Sequence, residues 1–340
     1  MQQPGKATKE TLQNLIFNNL GAQRAEVRQG ASFGVDVASI HIDGGNALVT
    51  ASDPLSLVPR LSPKESAWLS IYLAANDLAT SSLAPQYAQL VMQLPENTDH
   101  DLLKEYWKYI HKFCTELGVH ITGGHTSFDP LSGSTLIGGI TLLAIGKAKQ
   151  VRTSAMASAG DLLLMTKSAA LSSSSILVKS FPNFIKSELG QEVFEKVNTV
   201  FYQTSCVQDA LISGAYQNDQ RVVKAMHDVT EGGVYGAAYE FASASGLGIQ
   251  IDSSKVQILE EVKSVCKLFD IDPLRSIGAG SLLLAVSPKK ATALIQHLKT
   301  YGIDSSIIGE FTEKTESNID YQAIDPYWEA YFSALNKGKD

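Results

Sequence analysis

Apolar and polar positions in the first 150 residues switch between helical and strand-like spacing. Ser62 and Glu65 with Pro63 form a capping box that marks the start of one helix, and Gly44-Gly45 marks a hairpin turn. The hairpin favours a mixed or antiparallel sheet. The spacing predicts helices over 8–20, from 62 onward and over about 98–117, and strands over 36–43, 46–53, 87–94 and 137–145.

A polar turn at residues 151–153 opens a second unit of the same mixed kind. No period of 20–50 residues repeats, which excludes a repeat protein. The length of 340 residues is more than one hydrophobic core usually organises. We therefore predict an α+β chain of two domains, residues 1–150 and 151–340. The elements predicted in the second are strands over 161–166, 222–227, 248–252, 280–287 and 305–311, and helices over 232–245, 257–269 and 289–301.

Composition narrows the class of protein. Apolar residues make up 44% of the chain and charged residues 19%, which excludes a disordered or coiled-coil protein. Cys114, Cys206 and Cys266 stand far apart, so neither a disulfide framework nor a cysteine zinc site is expected, and a reducing compartment fits best. With no long apolar run and no leader-like start, we expect a cytoplasmic protein without a membrane partner. The net charge of −7 without a basic cluster argues against nucleic acid.

Four aspartates at the ends of predicted elements carry the chemistry. Asp36, Asp53, Asp77 and Asp228 each stand beside glycine or small residues, and no P-loop, dinucleotide, nucleophile-elbow or zinc-protease motif is present. Converging carboxylates suit Mg²⁺, which in turn holds nucleotide phosphates. Taken singly, each aspartate is more simply explained as a turn former or helix cap. Asp77 lies opposite the apolar face of its helix, so it is either solvated or faces a site outside its own core.

Two glycine pairs and one lysine are further candidates for phosphate contacts. Backbone N–H groups at Gly123-Gly124 and Gly232-Gly233 can cradle phosphate, although tight turns explain both pairs equally well. His125 and His227 are candidate ligands or, more simply, a turn contact and a core histidine. Lys167 follows a predicted strand where it can meet an anion, while the serines after it fit a polar loop and helix cap.

The order of these motifs resembles the AIR synthase-related (PurM-like) superfamily, which includes AIR synthetase, HypE, thiamine-monophosphate kinase and selenophosphate synthetase. The chain is most similar to HypE-like hydrogenase expression/formation (maturation) proteins. The resemblance covers residues from about 8 to 315. The motifs that carry it are residues 34–38, Asp53-Pro54, 76–79, 123–126, Thr166-Lys167, 227–233 and 280–283.

The resemblance implies a two-domain fold in which N-terminal mixed sheets pair in a homodimer around a barrel-like core, next to a C-terminal α/β sandwich-like domain. It implies ATP and Mg²⁺ as cofactors and a small-molecule acceptor. The metal ligands that it implies are Asp36, Asp53 and Asp77, and the catalytic residues are Asp53, Asp77 and Asp228. The implied nucleotide-binding residues are Asn76, Gly123, Gly124, His125, Thr126, Lys167, Gly232 and Gly233.

Several positions depart from the family pattern. Val35 replaces one of two adjacent acidic residues, and residues 169–172 lack the glycine and glutamate of a common turn. No cysteine follows Cys266 and none precedes Cys114, so carbamoyl dehydration and selenophosphate synthesis are not expected. We expect an ATP- and Mg²⁺-dependent enzyme that activates a small acceptor by phosphoryl transfer to oxygen. The alternatives are a thiamine-monophosphate-kinase-like phosphotransferase and a nucleotide-binding regulatory protein with reduced catalysis.

Overall fold

The computed structural model describes residues 4–130, 132–217, 220–313, 317–322 and 324–340, which form two β-sheets with helices. The first sheet has the strand order β1-β2-β3-β6-β4-β5, antiparallel throughout except for the parallel pair β4/β5. The predicted mixed sheet and its glycine hairpin are confirmed. The strands are β1 (Val27–Gln29), β2 (Ala38–Ile42), β3 (Asn46–Pro54), β4 (Tyr87–Pro95), β5 (His120–Asp129) and β6 (Ile137–Lys147).

The second sheet has five strands in the order β8-β10-β7-β11-β9, and every neighbouring pair is antiparallel. The sequence pattern predicted all five strands, because each is a short apolar run between polar turns. The α+β class with two sheets is therefore confirmed. The strands are β7 (Leu162–Thr166), β8 (Val223–Asp228), β9 (Gly248–Ile251), β10 (Leu282–Val286) and β11 (Ser305–Thr312).

Ten α-helices lie in the described part of the chain. The predicted capping box is present, with Ser62 Oγ accepting from Glu65 N–H and Glu65 Oε2 accepting from Ser62 N–H. None of them has the length and apolarity needed to cross a bilayer. They are α1 (Lys9–Thr11), α2 (Pro63–Ala79), α3 (His100–Glu116), α4 (Leu171–Ser180), α5 (Pro182–Val200), α6 (Val207–Ala215), α7 (Gly233–Ala244), α8 (Glu260–Leu268), α9 (Ala291–Lys299) and α10 (Pro326–Asn336).

Two sequence predictions of local structure are wrong. The predicted helix over 8–20 is reduced to α1 and a short π-helical segment. Neither buries a residue, so tertiary packing does not stabilise a longer helix here. The serine tract is the buried helix α4 rather than a polar loop. Ser174 and Ser175 donate to backbone carbonyls one turn earlier, so their hydroxyls are satisfied inside the helix.

The hydrophobic core joins the two units. Helices α2 and α3 cover one face of the first sheet, where Leu90 and Met92 are buried. Leu142 of the first sheet and Leu284 of the second belong to one continuous cluster of buried side chains. The units therefore pack against each other, and residues from both can share one site. That residues 1–150 and 151–340 are separate domains stays a prediction.

Candidate active site

Three aspartates from distant parts of the chain meet between the two units. Asp36 precedes β2, Asp77 lies in the last turn of α2, and Asp228 ends β8. One carboxylate oxygen from each lies within 4.8 Å of the other two. Asp77 therefore lies on the face of α2 that is turned away from the core of the helix and toward this site. This is one of the two positions that the sequence predicted for it. We refer to Asp36, Asp77 and Asp228 as the acid group.

A close backbone approach brings Asp36 to this position. Gly34 has a φ of +78°, and a Cβ there would overlap the backbone carbonyl of Glu240 in α7. Only glycine lets this loop lie directly on the helix. Ser154 Oγ then donates to Asp36 Oδ2 over 3.3 Å, and His227 Nδ1 lies 2.6 Å from Asp36 Oδ1.

His227 positions a carboxylate of the acid group and is not itself a candidate metal ligand. Desolvation lowers the pKa of this buried histidine, but Asp36 and Glu240 outweigh it and raise the pKa to about 10. The ring is therefore an imidazolium, with Nδ1 toward Asp36 and Nε2 3.4 Å from Glu240 Oε2. An imidazolium has no free lone pair for a metal ion. The interpretation of His227 as a buried, paired histidine fits the structure better than that of a ligand.

The carboxylates of the site carry more negative charge than their surroundings neutralise. Burial raises the pKa of Asp228 to about 7 and that of Asp53 to about 6, and it raises the pKa of Asp77 well above its usual range. Neighbouring carboxylates add to the effect, Asp36 on Asp228 and Asp228 on Asp77. Asp228 Oδ2 is buried and has no hydrogen-bond partner among the described residues.

This donor set fits a hard divalent cation. Mg²⁺ takes oxygen ligands, and a cation among the three carboxylates would relieve their repulsion and use the free oxygen of Asp228. Asp53, at the end of β3, lies outside the acid group, although its charge acts on Asp77. The structure therefore brings three of the four sequence-predicted aspartates together and leaves the fourth beside them.

Sequence comparison identifies the two units. Residues 34–146 match the AIR synthase related protein N-terminal domain, and residues 158–322 match its C-terminal domain. The chain belongs to the AIR synthase related protein family.

Relatives within this family come from several kinds of enzyme. The chain is 26% identical to the carbamoyl dehydratase HypE of Escherichia coli over 319 residues, covering 91% of this chain and 89% of HypE. It is 27% identical to the selenide, water dikinase of Methanococcus maripaludis, with 81% and 83% covered. A solved ThiL structure, complexed with AMPPCP and TMP, shares the fold with a TM-score of 0.72 at 17% identity, covering 95% and 98%.

The side chain of Asn76 is bonded to protein groups in this AIR synthase related protein, and its predicted contact with nucleotide stays a prediction. Its Nδ2 donates to the carbonyl of Thr204 over 3.0 Å, and its Oδ1 accepts from Cys206 N–H over 2.8 Å. The side chain is fully buried. Asn76 therefore ties α2 to the loop before α6, and its amide is already engaged.

Lys167 is likewise held within the second unit. Its Nζ donates to the carbonyls of Ser205 and Gly280 and lies 3.1 Å from Asp209 Oδ2. Asp209 also accepts from Thr166 Oγ1 over 2.7 Å. The ammonium of Lys167 is thus satisfied by protein groups, and its predicted contact with nucleotide stays a prediction.

One of the two glycine pairs, Gly123-Gly124, differs from its predicted geometry. The interpretation of Gly123-Gly124 as a turn is wrong, because Gly123, Gly124, His125 and Thr126 lie in the largely exposed strand β5. A Cβ at Gly124 would overlap the backbone of β4, so glycine here permits close strand pairing. Their role in nucleotide binding stays a prediction.

Gly232 and Gly233 begin α7 as expected, but their N–H groups are used. Gly232 N–H donates to Asp325 Oδ2 over 2.8 Å, and Gly233 N–H donates to the carbonyl of Thr230. Asp228 does not cap this helix, since the cap residue is Gly232. A phosphate role for these two glycines requires these bonds to be exchanged, and it stays a prediction.

Sequence reasoning missed two residues that border the acid group. Glu240 is a charged residue inside the otherwise apolar helix α7, a pattern that signals a buried pair. Lys6 follows Gly5 in an exposed stretch where no periodicity marks it. Lys6 Nζ lies 3.0 Å from Glu240 Oε2, and the charges of Lys6 and His227 lower the pKa of Glu240 to about 2, although burial acts in the opposite direction.

Proposed function

We propose that this chain is an ATP- and Mg²⁺-dependent enzyme that transfers a phosphoryl group to an oxygen of a small acceptor. The observation that carries the proposal is the acid group, in which three buried or half-buried carboxylates converge with too few cations to balance them. Such an arrangement is costly in the free protein and becomes favourable when a metal ion binds.

The relatives support the same class of chemistry. The proteins similar to this chain include a selenide, water dikinase and, in fold, a ThiL protein complexed with AMPPCP. HypE is a carbamoyl dehydratase. We infer that the chemistry shared with this chain is nucleotide-dependent activation of a small molecule, and that the acceptor differs between the relatives.

Each residue of the site has a distinct task in the proposed reaction. Bound Mg²⁺ would supply neutralisation of phosphate charge, which is the main requirement of phosphoryl transfer. Asp36, Asp77 and Asp228 would hold it, with Asp36 fixed by the imidazolium of His227. Asp53 stands apart from this group and has a pKa of about 6, so its carboxylate is suited to take the proton of the acceptor hydroxyl.

We also propose that the first sheet pairs with a second copy of the chain. The face opposite α2 and α3 exposes apolar side chains on neighbouring strands, Tyr87 and Val91 of β4 and Ile137 and Ile145 of β6, each 41–49% exposed. A second copy seated on this face would bury it symmetrically. Light scattering should give twice the chain mass of 36.6 kDa, and Val91→Lys should shift the protein to the monomer. A wild-type monomer at all concentrations would exclude this dimer.

Ligand-induced stabilisation tests the proposed cofactors. ATP with Mg²⁺ should raise Tm, and ATP with a chelator should raise it much less, because stabilisation follows the ligand bound to the folded state. A rise of equal size under both conditions would contradict the metal site.

Turnover separates an enzyme from a regulatory nucleotide-binding protein. ADP release should increase when the right acceptor is present in a library of small hydroxyl and carboxylate compounds with Mg²⁺. Nucleotide binding without acceptor-dependent ADP release from any compound would favour the regulatory alternative.

A further inference from the structure

A small cavity lies between the edge of the first sheet and the segment that leads into the second unit. Its volume is about 120 Å³, with β1, β2 and the start of β3 on one side and residues 148–156 on the other. Sites for nucleotide-sized molecules span about 300–1,000 Å³, so this cavity suits a ligand of only a few atoms. The polar residues that line it are Arg28, Gln29, Ser39, His41 and Thr153.

Two nearly buried hydroxyl groups line this cavity. Ser39 is 6% exposed and Thr153 is 2% exposed. Neither hydroxyl has a hydrogen-bond partner in the described part of the chain, whereas the hydroxyl of Ser154, next to Thr153, donates to the carbonyl of Met226 over 3.1 Å. Buried polar groups are hydrogen-bonded in almost all proteins. A ligand with oxygen atoms would supply partners for both hydroxyls.

The charge around the cavity is positive. Arg28 and His41 are exposed residues of its lining, and none of the described lining residues is acidic. The guanidinium of Arg28 forms neither an ion pair nor a hydrogen bond with any residue that the structure describes.

A second guanidinium borders the same cavity. Arg221 Nη2 donates to the carbonyl of Lys149 over 2.7 Å, and Arg221 Nη1 lies 3.9 Å from Sδ of Met156, which lines the cavity. Guanidinium and hydroxyl donors together are the groups that bind oxyanions in proteins. The cavity therefore favours a ligand that is small, accepts hydrogen bonds and carries negative charge.

We propose that this cavity is a binding site for a small oxyanion, either a phosphate or a carboxylate group. Arg28 supplies the charge, and the hydroxyls of Ser39 and Thr153 donate to the oxygen atoms of the ion. An ion bound to both hydroxyls joins the first sheet to the segment that enters the second unit. The site is separate from the acid group, because Ser39 follows Asp36 by three residues, about 10 Å of extended chain. It does not depend on the proposed function.

Calorimetric titration of the metal-free full chain with sodium phosphate and with sodium acetate tests the site. Chloride keeps the ionic strength constant. The wild type should bind at least one of the two ions, and the pair of titrations distinguishes a phosphate from a carboxylate ligand. Arg28→Gln should weaken this binding by about tenfold to a hundredfold, the range for a hydrogen bond to a charged group. The matched control is Arg24→Gln, which removes an exposed arginine paired with Glu26 and should leave the affinity unchanged.

Two further variants separate a ligand role of the hydroxyls from a structural role. Ser39→Ala and Thr153→Val should each weaken the binding of the ion. The Tm of the ion-free protein should not fall in either variant, because neither hydroxyl is bonded to a described protein group. A lowered Tm of the ion-free protein with unchanged affinity for the ion would overturn the proposed contacts.

Three other results would overturn the site and leave the proposed function standing. If the wild type binds neither phosphate nor acetate, the hydroxyls are solvated by water alone. If Arg28→Gln binds the ion as tightly as the wild type, the ion lies elsewhere on the protein. If saturating AMPPCP with Mg²⁺ abolishes binding of the ion, the cavity is part of the nucleotide site and not a separate one.

Discussion

The acid group and the ion pair of Asp209 with Lys167 are two regions in which buried carboxylates have very different surroundings. Asp209 is buried, which raises its pKa, but Lys167 lies 3.1 Å away and Thr166 donates a hydrogen bond to it. In the acid group, Asp77 and Asp228 have raised pKa values and Asp228 Oδ2 has no partner among the described residues. The charge of Asp209 is thus balanced by protein groups, whereas the charge of the acid group is not.

The contrast separates a structural carboxylate from a functional one. A buried charge with its partner in place costs stability when that partner is removed. A group of like charges costs stability while it is intact, and such strain is found where a ligand compensates it. Removing one charge should therefore have opposite effects in the two regions.

The largest expected effect is on turnover in the acid group. Asp77→Asn removes one charge and nearly preserves shape, so acceptor-dependent ADP release should fall by about a hundredfold or more, given that metal neutralisation contributes several kcal/mol. Asp53→Asn should cause a comparable loss. Tm should stay unchanged or rise in Asp77→Asn, because repulsion is relieved. Retained turnover with a lowered Tm in both variants would place the site elsewhere.

Asp209→Asn should show the reverse pattern. It leaves the ammonium of Lys167 without its carboxylate, and the free energy of unfolding should fall by about 3 kcal/mol, measured by urea denaturation. AMPPCP·Mg²⁺ affinity should stay within about twofold of the wild type, a range that corresponds to well under 1.4 kcal/mol. The double variant Lys167→Met with Asp209→Asn should recover part of the stability. A stable Asp209→Asn that fails to bind nucleotide would make this pair part of the site.

Asn76 offers an intermediate case, since it is predicted to contact nucleotide and its amide is also hydrogen-bonded to Thr204 and Cys206. Asn76→Ala leaves the Cys206 N–H and the Thr204 carbonyl unpaired in the interior, so unfolding free energy should fall by about 2 kcal/mol. Nucleotide affinity should change little. Asn14→Ala, at an exposed position near the N-terminus, serves as the control. Loss of affinity without loss of stability would restore Asn76 as a ligand.

The smallest expected effect is the pH dependence of the stabilisation of the protein by Mg²⁺. A carboxyl group whose pKa is raised in the folded protein contributes to the free energy of unfolding while it is protonated. This contribution is lost as pH rises through about 6 for Asp53 and about 7 for Asp228. Mg²⁺ binds the ionised form, so its stabilising effect should grow between pH 5.5 and pH 8. Thermal melts with Mg²⁺ or a chelator at both pH values measure this. An equal metal-induced Tm shift at both would contradict the assignment.

Local patterns were enough to predict much of the fold and the main candidates of the site. The capping box at Ser62, the hairpin before β3 and the short apolar runs of the second sheet each depend on neighbours in sequence, and each is confirmed. The four aspartates stood out for the same reason, since they end elements beside small residues. The outward direction of Asp77 followed from helical periodicity alone.

What the tertiary structure decided is which side chains meet. Asp36, Asp77 and Asp228 converge only because Gly34 lies on α7 and the two units share a core. The roles of Lys6 and Glu240 depend on contacts between opposite ends of the chain, which no local pattern encodes. The serine tract became a buried helix, and residues 123–126 became a strand, because packing and strand pairing outweigh local preference. Charge, periodicity and turn residues are properties of the sequence, whereas burial and the balance of neighbouring charges exist only after folding.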